Sequence, residues 1–405
     1  MKSLFKDKKI VVMGLGLHGG GAGIAKFFAG QGANVLVTDL KTKSQLKESV
    51  DKLKNLPVRF ALGGHRDKDF KNADLIIKGP AVPPASRYLK IAGKNGVPVK
   101  TDIQLFFDLF KGKIIGITGT KGKSTAATLL YLFLKTKYPN TYLAGNIGIS
   151  PLEILKKVDE KSLVVLELSS FELEDLKKSP SIAGVTTLFE DHLNRYKNLK
   201  EYINSKKPIF KYQSKNDVLF LNKDNKYAKS FAKEAKGKVI FFEEGQLALS
   251  VAEYLGVPKK DIKKVLSSFK GVPHRQEHIA DKGGVRYIND TAATTPESVI
   301  MAIRKFKNII LITGGEDKNL NYGKLNKEIR KNVKHLVLLP GTATDKLKRG
   351  LKYIEAKSME EAVKISAGLA KRGDTVLLSP GSASFNLFKN EFDRGKQFIE
   401  AVRKL

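Results

Sequence analysis

Ile115-Gly116-Ile117-Thr118-Gly119-Thr120-Lys121-Gly122-Lys123-Ser124-Thr125 is the stretch of this 405-residue chain on which its fold turns. A β-branched apolar run enters glycines and then passes into the helical-looking Ala126 to Leu134, so the order reads strand, tight turn, helix. The backbone N–H groups of Gly119, Thr120, Lys121, Gly122 and Lys123 at such a helix start suit the oxygens of a phosphate chain. Lys123 would reach the β- and γ-phosphates of a nucleotide, and the hydroxyl of Ser124 would face Mg²⁺, with Thr125 closing the run. Strict phosphate-loop spacing would put its first glycine at position 117, which is Ile117, so the loop is a shorter variant.

Outward from this loop, glycine-bounded apolar runs recur: Lys9 to Met13, Val35 to Thr38, Leu75 to Ile77, Leu163 to Leu168 and Val185 to Leu188. They continue with Ile309 to Thr313, Leu336 to Leu339 and Thr375 to Leu378. Strands alternating with helical segments predict an α/β architecture with mainly parallel sheets. At 41% apolar content and this length, the chain exceeds one ordinary core. Three domains are expected: a Rossmann-like N-terminal domain over 1–110, a central phosphate-loop ATPase domain over 111–272, and a C-terminal Rossmann-like α/β domain over 273–405.

Bulk chemistry narrows the partners. The absence of cysteine excludes a disulfide framework, a thiol nucleophile and thiolate metal sites, leaving hard ions such as Mg²⁺ as the natural metals. No long uncharged apolar run and no leader pattern is present, which predicts a cytoplasmic chain without a membrane span. The net charge of +32 would attract polyanions. Its lysines are scattered along helical-looking segments such as Lys41 to Lys54 and Lys223 to Lys238, without the dense tail or interleaved aromatics of a nucleic-acid module, so no specific nucleic-acid partner is expected.

Three further pieces carry chemistry. Gly14, Gly16 and Gly19 follow the first strand, with Leu15 and Leu17 between them, and Asp39 closes the second strand about 20 residues on. This fits a nucleotide or nucleotide-sugar pocket, and equally a tight strand-to-helix turn. Lys78-Gly79-Pro80-Ala81-Val82-Pro83 either lines the same crevice or is a plain proline turn. Glu167 ends an apolar strand, where a carboxylate is costly unless paired or bound to metal. His192, in Glu190-Asp191-His192-Leu193-Asn194-Arg195-Tyr196, follows another strand and is either a metal ligand or a hydrogen-bonded structural residue. Lys206 alone reads as a surface lysine.

Together these runs resemble the Mur ligase family over nearly the whole chain. Thr118 to Thr125 resembles its ATP loop, Gly145-Asn146-Ile147-Gly148 the segment after the next strand, and Glu167 to Phe171 with Glu190-Asp191-His192 its paired magnesium elements. In the third block, Pro273-His274-Arg275, Asn289-Asp290-Thr291 and Leu378-Ser379-Pro380-Gly381-Ser382-Ala383-Ser384-Phe385 continue the likeness. The short first block and the Glu-Leu-Ser-Ser-Phe run are closer to the D-glutamate-adding branch than to those adding L-alanine, a diamino acid or a dipeptide.

The resemblance implies a monomeric enzyme of peptidoglycan precursor synthesis that joins D-glutamate to UDP-N-acetylmuramoyl-L-alanine at the expense of ATP. It implies Gly14, Leu15, Gly16, Leu17 and Asp39 around the UDP moiety, and Asn146 and Ser169 among the substrate-binding residues. Thr294, Ser384 and Phe385 would receive the amino acid, while His274, Arg275 and Asp290 lie near ATP. Ser124, Glu167, His192 and Lys206 would surround two Mg²⁺ ions, with Lys206 N-carboxylated, and Lys123, Glu167, His192 and Lys206 would carry catalysis. Bringing three ligands together from three domains implies mobile domain junctions.

The sequence departs from the family in places. Between Lys238-Val239-Ile240-Phe241-Phe242 and a helix near Gln246 stand only Glu243-Glu244-Gly245. Family members have a longer stretch there, including a His-Asn pair whose asparagine contacts adenine. Glu172 stands where glutamine is common, and Ala292 where some members place lysine.

Overall fold

The computed structural model describes residues 4–17, 19–193, 195–384 and 387–405. The chain divides into two compact units. The first runs up to Leu188 and resumes over Ile203–Ser267; the second comprises Phe189–Tyr202 and Ser268–Leu405.

The first unit holds two all-parallel sheets. One contains Lys9–Met13 (β1), Asn34–Asp39 (β2), Val58–Leu62 (β3), Leu75–Lys78 (β4) and Val99–Lys100 (β5), in the order β3-β2-β1-β4-β5. The other contains Lys113–Thr118 (β6), Thr141–Gly145 (β7), Leu163–Glu167 (β8), Ile182–Val185 (β9), Val218–Asn222 (β10) and Lys238–Phe242 (β11), ordered β11-β10-β9-β6-β8-β7. Both orders reverse direction beside their first strand, β1 or β6, and ligands bind at that switch point in open parallel sheets. The glycine turn and the phosphate loop each leave the carboxyl end of that strand.

Around β6 the core is a layer of branched side chains. Ile115, Ile117, Val165 and Phe220 pack against Ala127, Leu130 and Leu134 of the helix Lys123–Lys137 and against Leu247 and Val251 of the helix Leu247–Tyr254. The two sheets of this unit are joined by buried polar contacts as well: Ser150 Oγ donates to Asp102 Oδ2 at 2.7 Å. Asp102 begins the helix Asp102–Leu109, whose start is closed by a reciprocal cap between Thr101 and Gln104.

The second unit is built on a mixed sheet of Glu277–Lys282 (β12), Val285–Asn289 (β13), Ile309–Gly314 (β14), Val333–Leu339 (β15), Ile354–Glu355 (β16) and Thr375–Leu378 (β17), ordered β12-β13-β17-β14-β15-β16. Only the β12/β13 pair is antiparallel. Alternate residues feed opposite faces: Ile310 and Ile312 join Val363, Phe398 and Val402, while Ile309 and Leu311 join Val299, Ile303 and Leu325. A strand buried on both sides needs such an unbroken apolar run.

The predicted strand Val185 to Leu188 is displaced. β9 pairs with β6 only from Ile182 to Val185. Beyond Thr118 its neighbour has become the phosphate loop, so Thr186 to Leu188 leave the ladder, and Thr187 makes an isolated bridge to Lys121. The helical reading of Lys223 to Lys238 also shortens, to Lys226–Ser230 and a 3₁₀ turn at Phe231–Lys233.

Candidate functional site

The phosphate loop is shaped by close approach. Gly119 (φ 149°) and Gly122 (φ 90°) both have positive φ, and a Cβ on Gly119 would overlap Thr186 Oγ1. Thr186 Oγ1 donates within hydrogen-bond distance of Lys121 O (2.7 Å) and Thr118 O (3.1 Å). Two amides expected to face phosphate are engaged otherwise: Thr120 N and Lys121 N donate to Thr187 O at 2.8 and 3.4 Å. Lys123 Nζ lies on Thr120 O at 3.0 Å, and Ser124 is buried in the first turn of the helix that Gly122 caps.

Glu167 occupies the last position of β8, fully buried. Its Oε1 accepts from Asn146 Nδ2 at 3.1 Å, and its Oε2 is buried with no hydrogen-bond partner. A buried carboxylate oxygen left this way costs several kcal/mol, on the order of 1–3 or more, unless a cation completes it. Among the described residues no group of three or more His, Asp or Glu side chains forms a metal cage. One carboxylate and a hydroxyl near a phosphate loop nevertheless fit Mg²⁺, which binds through one or two carboxylates together with water and substrate phosphates.

Lys206 is where sequence reasoning and structure part. Read alone as a surface lysine, it is 1% exposed, and its Nζ donates to Gly119 O at 3.0 Å. The side chain thus reaches the phosphate loop across 87 positions of sequence.

Ser169 is tied by a reciprocal cap to Glu172, whose Oε2 accepts from Ser169 N and Ser169 Oγ, both at 2.7 Å. Burial, reinforced by Asp102 and by Glu167, pushes the Glu172 carboxyl up to about 8. Burial also raises Asp102, against the opposing hydrogen bond from Ser150. This pair of buried acids was not legible as a pair in the sequence, although the departure from glutamine at 172 marked one member.

In the first sheet, Gly14 (φ 97°) and Gly16 (φ 63°) form the turn after β1. Asp39 Oδ2 accepts from Leu15 N (2.9 Å) and Gly16 N (3.1 Å), and Oδ1 accepts from Lys41 N. In this state Asp39 therefore shapes the glycine turn itself, beside Leu17. A Cβ on Gly14 would lie 3.9 Å from Gly79 Cα, so the second glycine piece packs against the glycine turn.

The second unit carries the remaining candidates. His192 has φ 55°, rare for a residue with a side chain, with its ring Nε2 3.4 Å from Asp191 Oδ2. Asp191 Oδ1 meets Lys318 Nζ at 3.4 Å, and Lys318 Nζ donates to Thr294 Oγ1 at 3.0 Å. His274 (φ 66°) contacts Asn289 Nδ2 through Nδ1 at 3.1 Å, and burial lowers its pKa. Arg275 N donates to Val272 O. Asp290 is buried, accepting from Gln276 N and Ser379 Oγ, both at 3.1 Å. Ser384 is buried too; Phe385 lies outside the described residues.

Arg394, which no sequence motif marked, is fully buried and binds the loops carrying these residues. Its guanidinium donates to Thr291 Oγ1 (2.9 Å), Thr291 O (2.9 Å) and Ser382 O (3.3 Å). Lys318, linking Asp191 to Thr294, was likewise missed, because a lone lysine in a lysine-rich chain carries no signal.

This arrangement of a glycine-turn sheet, a phosphate-loop sheet with a buried strand-end carboxylate, and a mixed third sheet belongs to a known class. The Mur ligase middle domain model matches residues 117–277, the Mur ligase glutamate ligase domain residues 274–381, and the Mur ligase MurD-like N-terminal domain residues 8–101. The chain belongs to the Mur ligase family.

Within it, the chain is 41% identical to the UDP-N-acetylmuramoylalanine--D-glutamate ligase of a Roseiflexus strain, across 98% of this chain and 98% of the relative. It is 39% identical to the enzyme of the same name from Borreliella afzelii, over 99% and 98%. The first of these alignments runs over 457 positions against 405 residues here, so at least 52 positions are gaps in this chain. In fold it is similar to the UDP-N-acetylmuramate-alanine ligase of Thermotoga maritima, with a TM-score of 0.65, 17% identity, and coverage of 98% and 99%.

Proposed function

We infer that the chain joins D-glutamate to the L-alanine carboxylate of UDP-N-acetylmuramoyl-L-alanine, driven by ATP, in peptidoglycan precursor synthesis. Near-full-length identity of about two residues in five to relatives bearing that name supports the acceptor and the amino acid. The observation that carries the chemistry is the buried Glu167 carboxylate with one unpartnered oxygen, in the sheet whose switch strand ends in the phosphate loop.

In this reading the first domain (1–110) grips UDP through Gly14 to Leu17 and the Asp39-shaped turn, the second (111–272) binds ATP, and the third (273–405) receives D-glutamate. The acceptor carboxylate attacks the γ-phosphorus of ATP, ADP leaves, and an acyl phosphate remains. The amine of D-glutamate then attacks the acyl carbon, phosphate leaves, and the amide forms with loss of a proton from nitrogen. Lys123 draws charge off the phosphates, and Asn146 holds the Glu167 carboxylate in place. Mg²⁺, held by Ser124, Glu167, His192 and N-carboxylated Lys206, would supply charge neutralisation on the transferring phosphoryl group. His274, Arg275 and Asp290 serve the nucleotide, Ser169 the acceptor, and Thr294, Ser384 and Phe385 the amino acid. The reading includes a cytoplasmic monomer; among the described residues no helix is long and apolar enough to cross a membrane.

Phosphate release from ATP and Mg²⁺ with UDP-N-acetylmuramoyl-L-alanine tests the reading, with D-glutamate compared in parallel against L-glutamate, L-alanine and a diamino acid. Release confined to D-glutamate is expected. Release with another amino acid reassigns the branch, and none with any would make the chain a silent nucleotide-binding homologue, as its gapped alignment allows.

A further inference from the structure

The carboxyl edge of the phosphate-loop sheet carries a second polar constellation, on the side of β6 away from Glu167. Thr187 follows β9, Asn222 ends β10, and Glu244 follows β11, so three neighbouring strands deliver them to one edge. Thr187 touches the loop directly, since its carbonyl receives Thr120 N and Lys121 N. Its hydroxyl donates to Glu244 Oε1 at 3.0 Å and receives Asn222 Nδ2 at 3.3 Å. Glu244 is positioned further by its own N–H, which donates to Asp224 Oδ2 at 2.9 Å. Its neighbour Glu243 turns away to pair with Lys223 at 2.9 Å. The result is a solvent-open carboxylate held in one orientation, one residue's breadth from a phosphate loop, inside the conspicuously short turn Glu243-Glu244-Gly245.

Direction follows from the sheet order. The unpartnered oxygen of Glu167 lies at the end of β8; a cation shared between that oxygen and the transferring phosphate would set the reacting end of a triphosphate toward it. Its nucleoside end then extends the opposite way, over β9, β10 and β11, where Thr187, Asn222 and Glu244 stand. A carboxylate accepts hydrogen bonds and cannot donate them. It therefore suits a base that presents an exocyclic amino group, N6 of adenine or N4 of cytosine, and rejects one that presents a carbonyl at the same place.

We propose that Glu244, oriented by Thr187 and Asn222, reads the exocyclic amino group of the nucleotide base and makes this chain select amino-bearing bases. The proposal rests on the reading that the loop binds a nucleoside triphosphate.

Binding of ATP, CTP, ITP and UTP to the full chain with Mg²⁺, by calorimetry, tests it, alongside the D-glutamate-dependent phosphate release assay. The wild-type chain is expected to bind ATP and CTP about tenfold more tightly than ITP and UTP, the worth of one charge-assisted hydrogen bond. E244A should bring ATP and ITP within about threefold of each other, leaving ITP affinity unchanged, whereas E243A should keep the full preference. An unchanged ATP-to-ITP ratio in folded E244A, a wild type without base preference, or no nucleotide binding overturns the proposal. Base-selective binding lost in E244A, but with no ligase turnover in the wild type, upholds this assignment and sinks the ligase reading alone.

Discussion

Replacing Glu172 by glutamine should stabilise the protein, increasingly so as the pH rises. The side chain is 6% exposed, and its carboxyl is pushed up to about 8 from an ordinary 4.5, first by burial and then by Asp102. Between those two values the native chain holds a proton that the unfolded chain has released. Stability therefore falls by about 1.4 kcal/mol for each pH unit in that window. The accumulated cost is below about 1 kcal/mol at pH 5, about 3 kcal/mol at pH 7 and on the order of 5 kcal/mol above pH 8. Glutamine is isosteric, retains an oxygen to accept from Ser169 N and Oγ, and never ionises. Urea unfolding of wild type and E172Q at pH 5, 7 and 8.5 should give nearly coincident midpoints at pH 5 and a widening gap above it. A difference of the same size at all three pH values, or a glutamine variant less stable at pH 8.5, would refute the buried-acid account.

Other expectations follow from the same geometry. Lys123→Ala and His192→Ala should each reduce phosphate release by at least about a hundredfold while leaving circular dichroism unchanged; full activity in either would remove that residue from the site. Lys206→Ala should be inactive and partly restored by added short carboxylic acids, which can replace a carbamate in the space that the lost side chain leaves beside Gly119 O; absence of any recovery would count against carboxylation. Arg394→Met should cost about 3 kcal/mol or more in thermal or urea unfolding, because Thr291 O and Ser382 O lose their buried donor. A neutral result there would show that the loops are held by other contacts.

Much of the fold was readable because its signals are local. β1 and β17 fall where their apolar runs end, and the glycines at 14, 16, 119 and 122 announce backbone that other residues rarely adopt. The strand edges failed where a neighbour decided them. Val185 to Leu188 is β-branched up to its last residue, yet the ladder stops at Val185 because β6 has already turned into the loop. The short strands β5 and β16 and the antiparallel β12 lacked any run long enough to read.

The site divides in the same way. Residue order alone determined a phosphate loop, a glycine turn closed by Asp39, and a carboxylate at a strand end, because each is a contiguous run whose backbone geometry demands particular residues. Only the tertiary structure decided that Lys206 is buried on Gly119 O, that Glu172 and Asp102 are neighbouring acids, that Arg394 clasps Thr291 to Ser382, and that Glu244 faces Thr187. These partners lie 57 to 103 positions apart where their separation is that of a direct hydrogen bond, apart from the short Arg394–Ser382 link. A lysine or glutamate has the same local pattern on a solvated face as in a core. Its chemistry is set by the dielectric and the partners that chain closure brings to it.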